Sequence, residues 1–166
     1  MCKRDRHKPD ILGLQEIKVS DEEFPVEAIT ALGYNVDFFG QKGHYGVALL
    51  SKVQATAVIR GFPSDDEEAQ RRMIHGEYLL NGKILHVING YFPQGESRKH
   101  PTKFPAKEKY YSDLTHYISD SFTASDNVVV MGDMNIAATD ADVGIKLENA
   151  KRWLQRGICC FLPEER

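Results

Sequence analysis

Residues 72–92 have the sequence RMIHGEYLLNGKILHVINGYF, and their pattern decides the class of fold that the chain can adopt. Two apolar stretches, 72–80 and 84–92, flank the short segment Asn81–Lys83. An Asn-Gly pair tolerates the positive φ that a tight hairpin turn requires, so the sequence predicts two antiparallel strands here. Pro93 ends the second strand, because proline has no backbone N–H to donate to a sheet.

Further strands are predicted before and after this hairpin. DILGLQE (10–16) is the first, and YNVDFFG, GVALLSK and ATAVIRG follow between turn residues. NVVVMGDMN (127–135) predicts a strand buried on both faces, because its apolar run is continuous rather than alternating.

Helices are predicted at three places. DEEFPVEAITALG (21–33) has Pro25 in its first turn and Gly33 at its end. A second helix is indicated by helical spacing of Tyr111, Leu114, Ile118 and Phe122, and a third by LENAKRWLQRG (147–157). Strands outnumber helices, a pattern typical of an α+β sandwich in which two packed, mostly antiparallel sheets are flanked by helices. The length of 166 residues fits a single domain, 1–166.

Composition is typical of a globular protein, with 42% hydrophobic and 27% charged residues. No apolar run is long enough to cross a bilayer, and the opening MCKRDRHKPD is too polar for a secretory signal, so we expect a cytoplasmic protein. Three cysteines, two of them adjacent (Cys159 and Cys160), indicate neither a disulfide framework nor a metal knuckle.

The net charge of −3 argues against general affinity for nucleic acid, but the charge is unevenly distributed. The segment GESRKHPTKFPAKEKY (95–110) contains five Lys and Arg residues and only two acids. Such a segment is able to grip a phosphate backbone, and a solvated surface loop is the alternative interpretation.

Polar side chains lie at the ends of two predicted strands that are far apart in the sequence. Glu16 follows the apolar run Ile11–Leu14, and Asp133 and Asn135 follow the apolar run Val128–Met131. Tyr91 shares a face with Asn89 at the end of the predicted hairpin, because side chains alternate along a strand. Gly90 and Gly132 would admit a ligand or another backbone beside these groups.

Carboxylate and amide oxygens suit Mg²⁺ or Mn²⁺ better than zinc, and such sites leave room for water and a substrate phosphate. The cluster therefore predicts metal-assisted hydrolysis of a phosphodiester. Each residue also has a simpler interpretation: Glu16 as an edge carboxylate paired with Lys18, GDMN as an ordinary turn, and Tyr91 as a core residue. No histidines fall at zinc-binding spacing, and His86, within a strand, is interpreted as structural.

Several motifs resemble the bacterial exodeoxyribonuclease III family of the endonuclease/exonuclease/phosphatase superfamily. They are DILGLQE, GQKGHYGVALL, GFPSDDEEAQRR, INGYFPQGESR, KFPAKEKYY, MGDMNIAATDADVGI and KRWLQRG, in this order along nearly the whole chain. The resemblance implies a four-layered α/β sandwich with its site at one rim of the two sheets. It also implies hydrolysis of double-stranded DNA: incision at abasic sites, 3′-to-5′ exonuclease action and removal of 3′-blocking groups.

The resemblance further implies roles for individual residues. Glu16 would be the principal Mg²⁺ ligand, in a metal site shared with Asp133 and Asn135. Tyr91 would contact the scissile phosphate or help activate the nucleophile, and Asp133 would orient or deprotonate the attacking water. Asn135 would stabilise the transition state. The candidates for contacts with the DNA backbone are Arg72, Gln94, Arg98 and Lys103.

The resemblance is incomplete at both ends of the chain. At the C-terminal end, FLPEER (161–166) has the pattern of a helix start, because Pro163 is followed by two acidic residues. The family's first strand, with its asparagine, and its terminal Ser-Asp-His motif are not found. We therefore expect the N-proximal part of such a domain, truncated at both ends and impaired in activity. Two other interpretations stay open: a non-catalytic DNA-binding remnant, and a phosphodiesterase that acts on a non-nucleic substrate.

Overall fold

The computed structural model describes residues 7–137 and residue 142. The predicted helix 147–157, the two adjacent cysteines and FLPEER lie outside the described residues. The described chain forms two compact units, the first of residues 7–91 and 117–133 and the second of residues 92–116, 134–137 and 142.

Seven strands and two helices are present in the described residues. In chain order they are β1 (Ile11–Gln15), α1 (Val26–Thr30), β2 (Asn35–Phe39), β3 (Val47–Ser51), β4 (Ala57–Arg60), β5 (Met73–Leu80), β6 (Lys83–Tyr91), α2 (Lys103–Ser121) and β7 (Asn127–Asp133). The predicted strands in this part of the chain are thus confirmed. Neither helix in the described part is both long and apolar enough to cross a membrane.

The strands form two sheets, both within the first unit. Sheet A has the order β1-β3-β2 and is antiparallel throughout. Sheet B has the order β4-β5-β6-β7, in which only the β6–β7 pair is parallel. The β5–β6 hairpin turns through Asn81 and Gly82, which have φ values of +51° and +77°, as the Asn-Gly signal predicts. The fold is therefore α+β with mostly antiparallel sheets.

The two sheets pack face to face through an apolar core. In this core, side chains of β3 in sheet A contact side chains of β5 and β6 in sheet B. The buried residues of the core are Val47, Leu49, Ile74, Tyr78 and Val87. On the outer face of sheet A, Ile29 of α1 and Phe24, which precedes the helix, pack against Ala48 and Leu50. The last turn of α2 contacts the outer face of sheet B, where the Tyr117 hydroxyl lies 2.8 Å from His75 Nδ1. The first unit therefore contains the layer order helix, sheet, sheet, helix.

A buried asparagine joins the two sheets. Asn89 of β6 is fully buried, and its Nδ2 donates to the carbonyls of Leu14 and Ala48 in sheet A, each at 3.0 Å. Its Oδ1 accepts a hydrogen bond from Gln15 Nε2 at 2.6 Å. A Cβ on Gly13 would lie 2.6 Å from Asn89 Oδ1, so this glycine in the first strand makes room for the amide.

Helix α2 differs from its prediction. It begins at Lys103, inside the basic segment 95–110, for which a solvated surface loop is one of the two interpretations. The helix tolerates Pro105 because this residue lies in the first turn, where the missing N–H has no helical partner to lose. Its buried apolar side chains are those of Tyr110, Leu114 and Tyr117. Of the four positions predicted to form the apolar face, only Leu114 is among them.

Strand β7 also differs from its prediction. It lies at an edge of sheet B among the described strands, and Val129 is 44% exposed. The strand is therefore not buried on both faces within the described structure, although its position and direction bring its last residue beside the end of β6.

Candidate active site

Glu16 and Tyr91 meet at the ends of two strands that belong to different sheets. Glu16 directly follows β1, and Tyr91 is the last residue of β6. The Tyr91 hydroxyl donates to Glu16 Oε1 at 2.6 Å. Lys18 Nζ lies 3.5 Å from Glu16 Oε2, with both side chains about half exposed. The ion pair between Glu16 and Lys18 that the simpler interpretation predicted is thus present. Glu16 has a second partner, however, in the Tyr91 phenol from the other sheet.

The backbone at Glu16 is in an unusual conformation. Glu16 and Lys18 have φ values of +53° and +56°, in the left-handed region that few non-glycine residues adopt. Hydrogen bonds from Ile17 N to Gly46 O (3.3 Å) and from Lys18 N to Tyr45 O (3.0 Å) hold this turn against the loop before β3. Such conformations cost energy and concentrate at functional positions, where the surrounding structure fixes them.

The hydrogen bond between the two side chains has opposite effects on their pKa values. It is the largest cause that holds the pKa of Glu16 below its ordinary value, with Lys18 and Arg72 acting in the same direction. Burial is the first cause that raises the pKa of Tyr91 to about 12, and the bond to Glu16 adds to it. At neutral pH the site therefore contains an ionised carboxylate and a neutral phenol that donates to it.

Arg72 lies between two aromatic rings beside this pair. Its guanidinium carbon is 4.2 Å from the ring centroid of Tyr45 and 4.7 Å from that of Tyr91. Arg72 Nη1 also donates to the Tyr91 carbonyl at 2.9 Å. The cation is held in place by these contacts and brings positive charge close to Glu16.

Asp133 lies beside Tyr91 because β6 and β7 run parallel in a register that pairs these two residues. In the same register Gly90 pairs with Gly132, where a Cβ would lie only 1.9 Å from the Gly90 carbonyl oxygen. The two glycines thus allow close approach of the neighbouring backbone, which is one of the two alternatives predicted for them, the other being a ligand. The charge of Asp133 also contributes to the raised pKa of Tyr91, which places both carboxylates within electrostatic reach of the phenol.

Asn135 belongs to the second unit. Strand β7 ends at Asp133, and Asn135 has a φ of +50°, so the alternation of side chains along the strand does not extend to Asn135. Its Nδ2 donates to the Phe92 carbonyl at 2.9 Å, and its own carbonyl accepts from Lys107 Nζ at 2.7 Å. Lys107 is buried, so it serves to fix this loop.

Of the four predicted DNA contacts, Arg72 is in the first unit and the other three are in the second. Gln94 is exposed, and the Arg98 guanidinium lies over the Phe104 ring, 5.2 Å from its centroid. Lys103 forms an ion pair with Glu96. The structure thus places Glu16, Tyr91, Arg72 and Asp133 in one neighbourhood of the first unit, and Asn135, Gln94, Arg98 and Lys103 in the second unit.

Sequence reasoning missed one group of metal-capable side chains within the described residues. His75, Glu77 and His86 each place a ligand atom within 4.8 Å of the other two. They come from neighbouring strands, in a register that pairs Glu77 with His86. Spacing along the chain could not reveal the group, but alternation on the predicted β5–β6 hairpin gives all three residues the same face.

Comparison with known proteins agrees with the fold. The sequence profile of the endonuclease/exonuclease/phosphatase family matches residues 5–163. The exodeoxyribonuclease III of Haemophilus influenzae is 56% identical over 98% of this chain. Among solved structures, a 3′-5′ exonuclease from Neisseria meningitidis (34% identical, TM-score 0.81) and an AP endonuclease from Archaeoglobus fulgidus (32% identical, TM-score 0.80) each match 95% of the chain.

The chain is shorter than all three of these relatives. It spans 61% of the Haemophilus protein, 58% of the Neisseria structure and 57% of the Archaeoglobus structure.

Proposed function

This chain belongs to the endonuclease/exonuclease/phosphatase family, and we propose that it is a Mg²⁺-dependent DNA phosphodiester hydrolase of the exodeoxyribonuclease III type. The observation that carries the proposal is the hydrogen bond between Tyr91 and Glu16, with Asp133 beside Tyr91, in a chain 56% identical to a bacterial exodeoxyribonuclease III. The proposed substrates are duplex DNA with abasic sites, 3′ ends or blocked 3′ ends.

The oxygen-rich donor set fits a hard divalent cation. Glu16 is ionised at neutral pH and about half exposed, so its carboxylate is accessible from solvent. Glu16 would be the principal ligand, with Asp133 and Asn135 completing the protein's share, and Mn²⁺ would suit the same oxygens. The ion would polarise the phosphoryl oxygen of a bound phosphodiester.

The remaining chemistry falls to residues of this chain. Asp133 would orient or deprotonate the attacking water, and Asn135 would stabilise charge in the transition state. Tyr91 keeps its proton at neutral pH, because its pKa is about 12, so it would act as a hydrogen-bond donor to the phosphate or nucleophile rather than as a base. Arg72, Gln94, Arg98 and Lys103 are the proposed contacts with the DNA backbone.

The basic segment gives little support to a function in DNA binding alone. Lys103 is paired with Glu96, and Lys109 is paired with Asp113, so an acid already neutralises each of these cations. A phosphate would have to displace those acids, and this reduces the gain in affinity expected from each lysine. Hydrolysis is favoured instead by the carboxylate and phenol paired at the active site, an arrangement that binding alone does not require.

Incision of a duplex with one abasic site tests the proposal. We expect cleavage by the 166-residue chain that requires Mg²⁺ and stops with EDTA. Because the chain spans 61% of the Haemophilus enzyme, we expect a rate well below that of the Haemophilus enzyme assayed beside it. Glu16→Gln and Asp133→Asn should each lower the rate about 10²-fold or more, as loss of one preorganised group usually does.

Glu27→Gln is the matched control, because it removes an exposed carboxylate on α1, and it should leave the rate unchanged. Circular dichroism establishes that each variant is folded. A folded chain that binds the duplex without cutting it at any Mg²⁺ concentration would overturn the catalytic proposal and favour the DNA-binding remnant.

A further inference from the structure

Three metal-capable side chains share the outer face of sheet B, on the side that faces the last turn of α2. His75 and Glu77 are two positions apart on β5, and His86 is the register partner of Glu77 on β6. Residues two apart on a strand, and cross-strand partners, point to the same side of a sheet. The hairpin register therefore fixes all three side chains side by side.

The ligand atoms of the three side chains all lie within 4.8 Å of one another, which is close enough for one small cation to bridge them. His75 Nε2 lies 3.1 Å from His86 Nδ1, and His86 Nδ1 lies 3.7 Å from Glu77 Oε1. Two ligands on tetrahedral Zn²⁺ at bond lengths of about 2.0–2.1 Å are about 3.3 Å apart. An ion would therefore require only small movements of side chains that are already convergent.

The surroundings fix the first histidine in a ligating orientation. His75 is only 1% exposed, and its Nδ1 lies 2.8 Å from the Tyr117 hydroxyl, which leaves Nε2 directed at the cluster. Metal-bound histidines commonly hold their second ring nitrogen in such a hydrogen bond. The Phe122 ring packs 5.6 Å from the His75 ring and 4.8 Å from the His86 ring, so an apolar wall limits water on that side.

The opposite side of the cluster is accessible. The side chains of His86 and Glu77 are 14% and 27% exposed, so an ion has a path of entry and a position for water. Two imidazoles and one carboxylate form a ligand set typical of zinc sites with an open fourth position. A hard ion such as Mg²⁺ would prefer more oxygen ligands than this group offers.

We propose that His75, Glu77 and His86 form a binding site for a borderline divalent metal of the Zn²⁺ class. This site differs from the proposed Mg²⁺ site. His86 lies five residues before Tyr91 on β6, or about 16 Å along the strand, and its side chain is on the opposite face of the sheet. The site makes no use of Glu16 or Asp133 and does not depend on the proposed nuclease function.

Metal titration of the intact chain tests the proposal. After treatment with EDTA and desalting, Zn²⁺ is titrated in competition with a chromophoric chelator, and Co²⁺ is titrated while its visible absorption is recorded. We expect one equivalent of tight binding, intense d–d bands of low-coordinate Co²⁺, and a rise in the melting temperature with Zn²⁺. His86→Gln and Glu77→Gln should each weaken binding at least tenfold.

Two controls identify the site. His116→Gln removes an exposed histidine on α2 and should leave binding unchanged. Glu16→Gln should also leave Zn²⁺ binding unchanged, which separates this result from failure of the nuclease proposal. The partly exposed Glu77 and His86 are chosen instead of buried His75 so that the variants fold. Absence of a one-equivalent phase, or equal affinity in His86→Gln and the unsubstituted chain, would overturn the inference.

Discussion

At the scale of single residues, the hydroxyl proton of Tyr91 determines how the Glu16 carboxylate is oriented. The Tyr91 hydroxyl has one hydrogen, which it donates to Glu16 Oε1. This bond orients the carboxylate, and Oε2 lies 3.5 Å from Lys18 Nζ. In the absence of DNA, Tyr91 is therefore a positioning residue for the proposed metal ligand, whatever contact it makes with a bound phosphate.

We expect Tyr91→Phe to raise the Mg²⁺ concentration required for half-maximal cleavage by about tenfold, in line with the loss of an outer-shell partner of a metal ligand. Part of the lost rate should return at high Mg²⁺. The measurement is the cleavage rate as a function of Mg²⁺ concentration at saturating DNA.

Tyr34→Phe is a suitable control, because it removes a phenol that donates to the Pro9 carbonyl at 2.7 Å, at the end of β1 opposite to Glu16. Its Mg²⁺ dependence should match that of the unsubstituted chain. If Tyr91→Phe lowered the maximal rate and left the Mg²⁺ dependence unchanged, the positioning role would be wrong and direct contact with the phosphate would be favoured.

At the scale of secondary-structure elements, strand β2 carries a carboxylate where an apolar residue would fit better. Asp37 and Phe39 share a face of this strand by alternation, and Phe39 packs against the core between the sheets. Burial raises the pKa of Asp37 above its ordinary value of 3.8, and Arg60 offsets only part of this effect. Because the folded state holds the proton more tightly than the unfolded state does, stability falls as pH rises through the folded pKa.

Asp37→Asn should therefore increase the free energy of unfolding at pH 7, by about 1 kcal/mol or less. The gain should shrink as pH falls through the folded pKa towards 3.8 and disappear below it, where the carboxyl is protonated in both states. Urea unfolding of both proteins at several pH values between 4 and 7 measures this difference. Glu67→Gln, at an exposed loop position, should produce no comparable gain, and an Asp37→Asn effect independent of pH would contradict the electrostatic cause.

Local signals predicted some elements of this fold and could not predict others. The Asn81–Gly82 turn and the close approach at Gly132 follow from backbone sterics, which act within a few residues and are visible in the sequence. The start of α2 was missed because Pro105 suggests a break, whereas in a first turn it is tolerated. The cluster of His75, Glu77 and His86 was missed because its members are joined only by strand register.

At the scale of the whole molecule, the two sheets pack against each other, and the polar groups buried between them need hydrogen-bond partners. Asn89 accepts one and donates two hydrogen bonds across the interface, and Gly13 makes the room for it. The resemblance to the exodeoxyribonuclease III family implied the sandwich and named Glu16, Tyr91 and Asp133. It gave no role to Asn89, because a buried amide within an apolar strand shows its partners only when the second sheet is present.

Asn89 should make the two sheets unfold as one unit. Asn89→Ala would leave the carbonyls of Leu14 and Ala48 without their shared donor beside a fully buried position, so we expect a loss of about 3 kcal/mol in the free energy of unfolding. Hydrogen exchange should show slow amides of β3 in sheet A and β5 in sheet B with similar opening energies, both lowered by the substitution. Asn127→Ala removes an exposed amide that donates to the Ile84 carbonyl at 3.2 Å, and it should lower neither. If Asn89→Ala lowered the protection of one sheet and left the other unchanged, the sheets would open independently, and packing of Val47 and Leu49 against Ile74 and Tyr78 would not be enough to couple them.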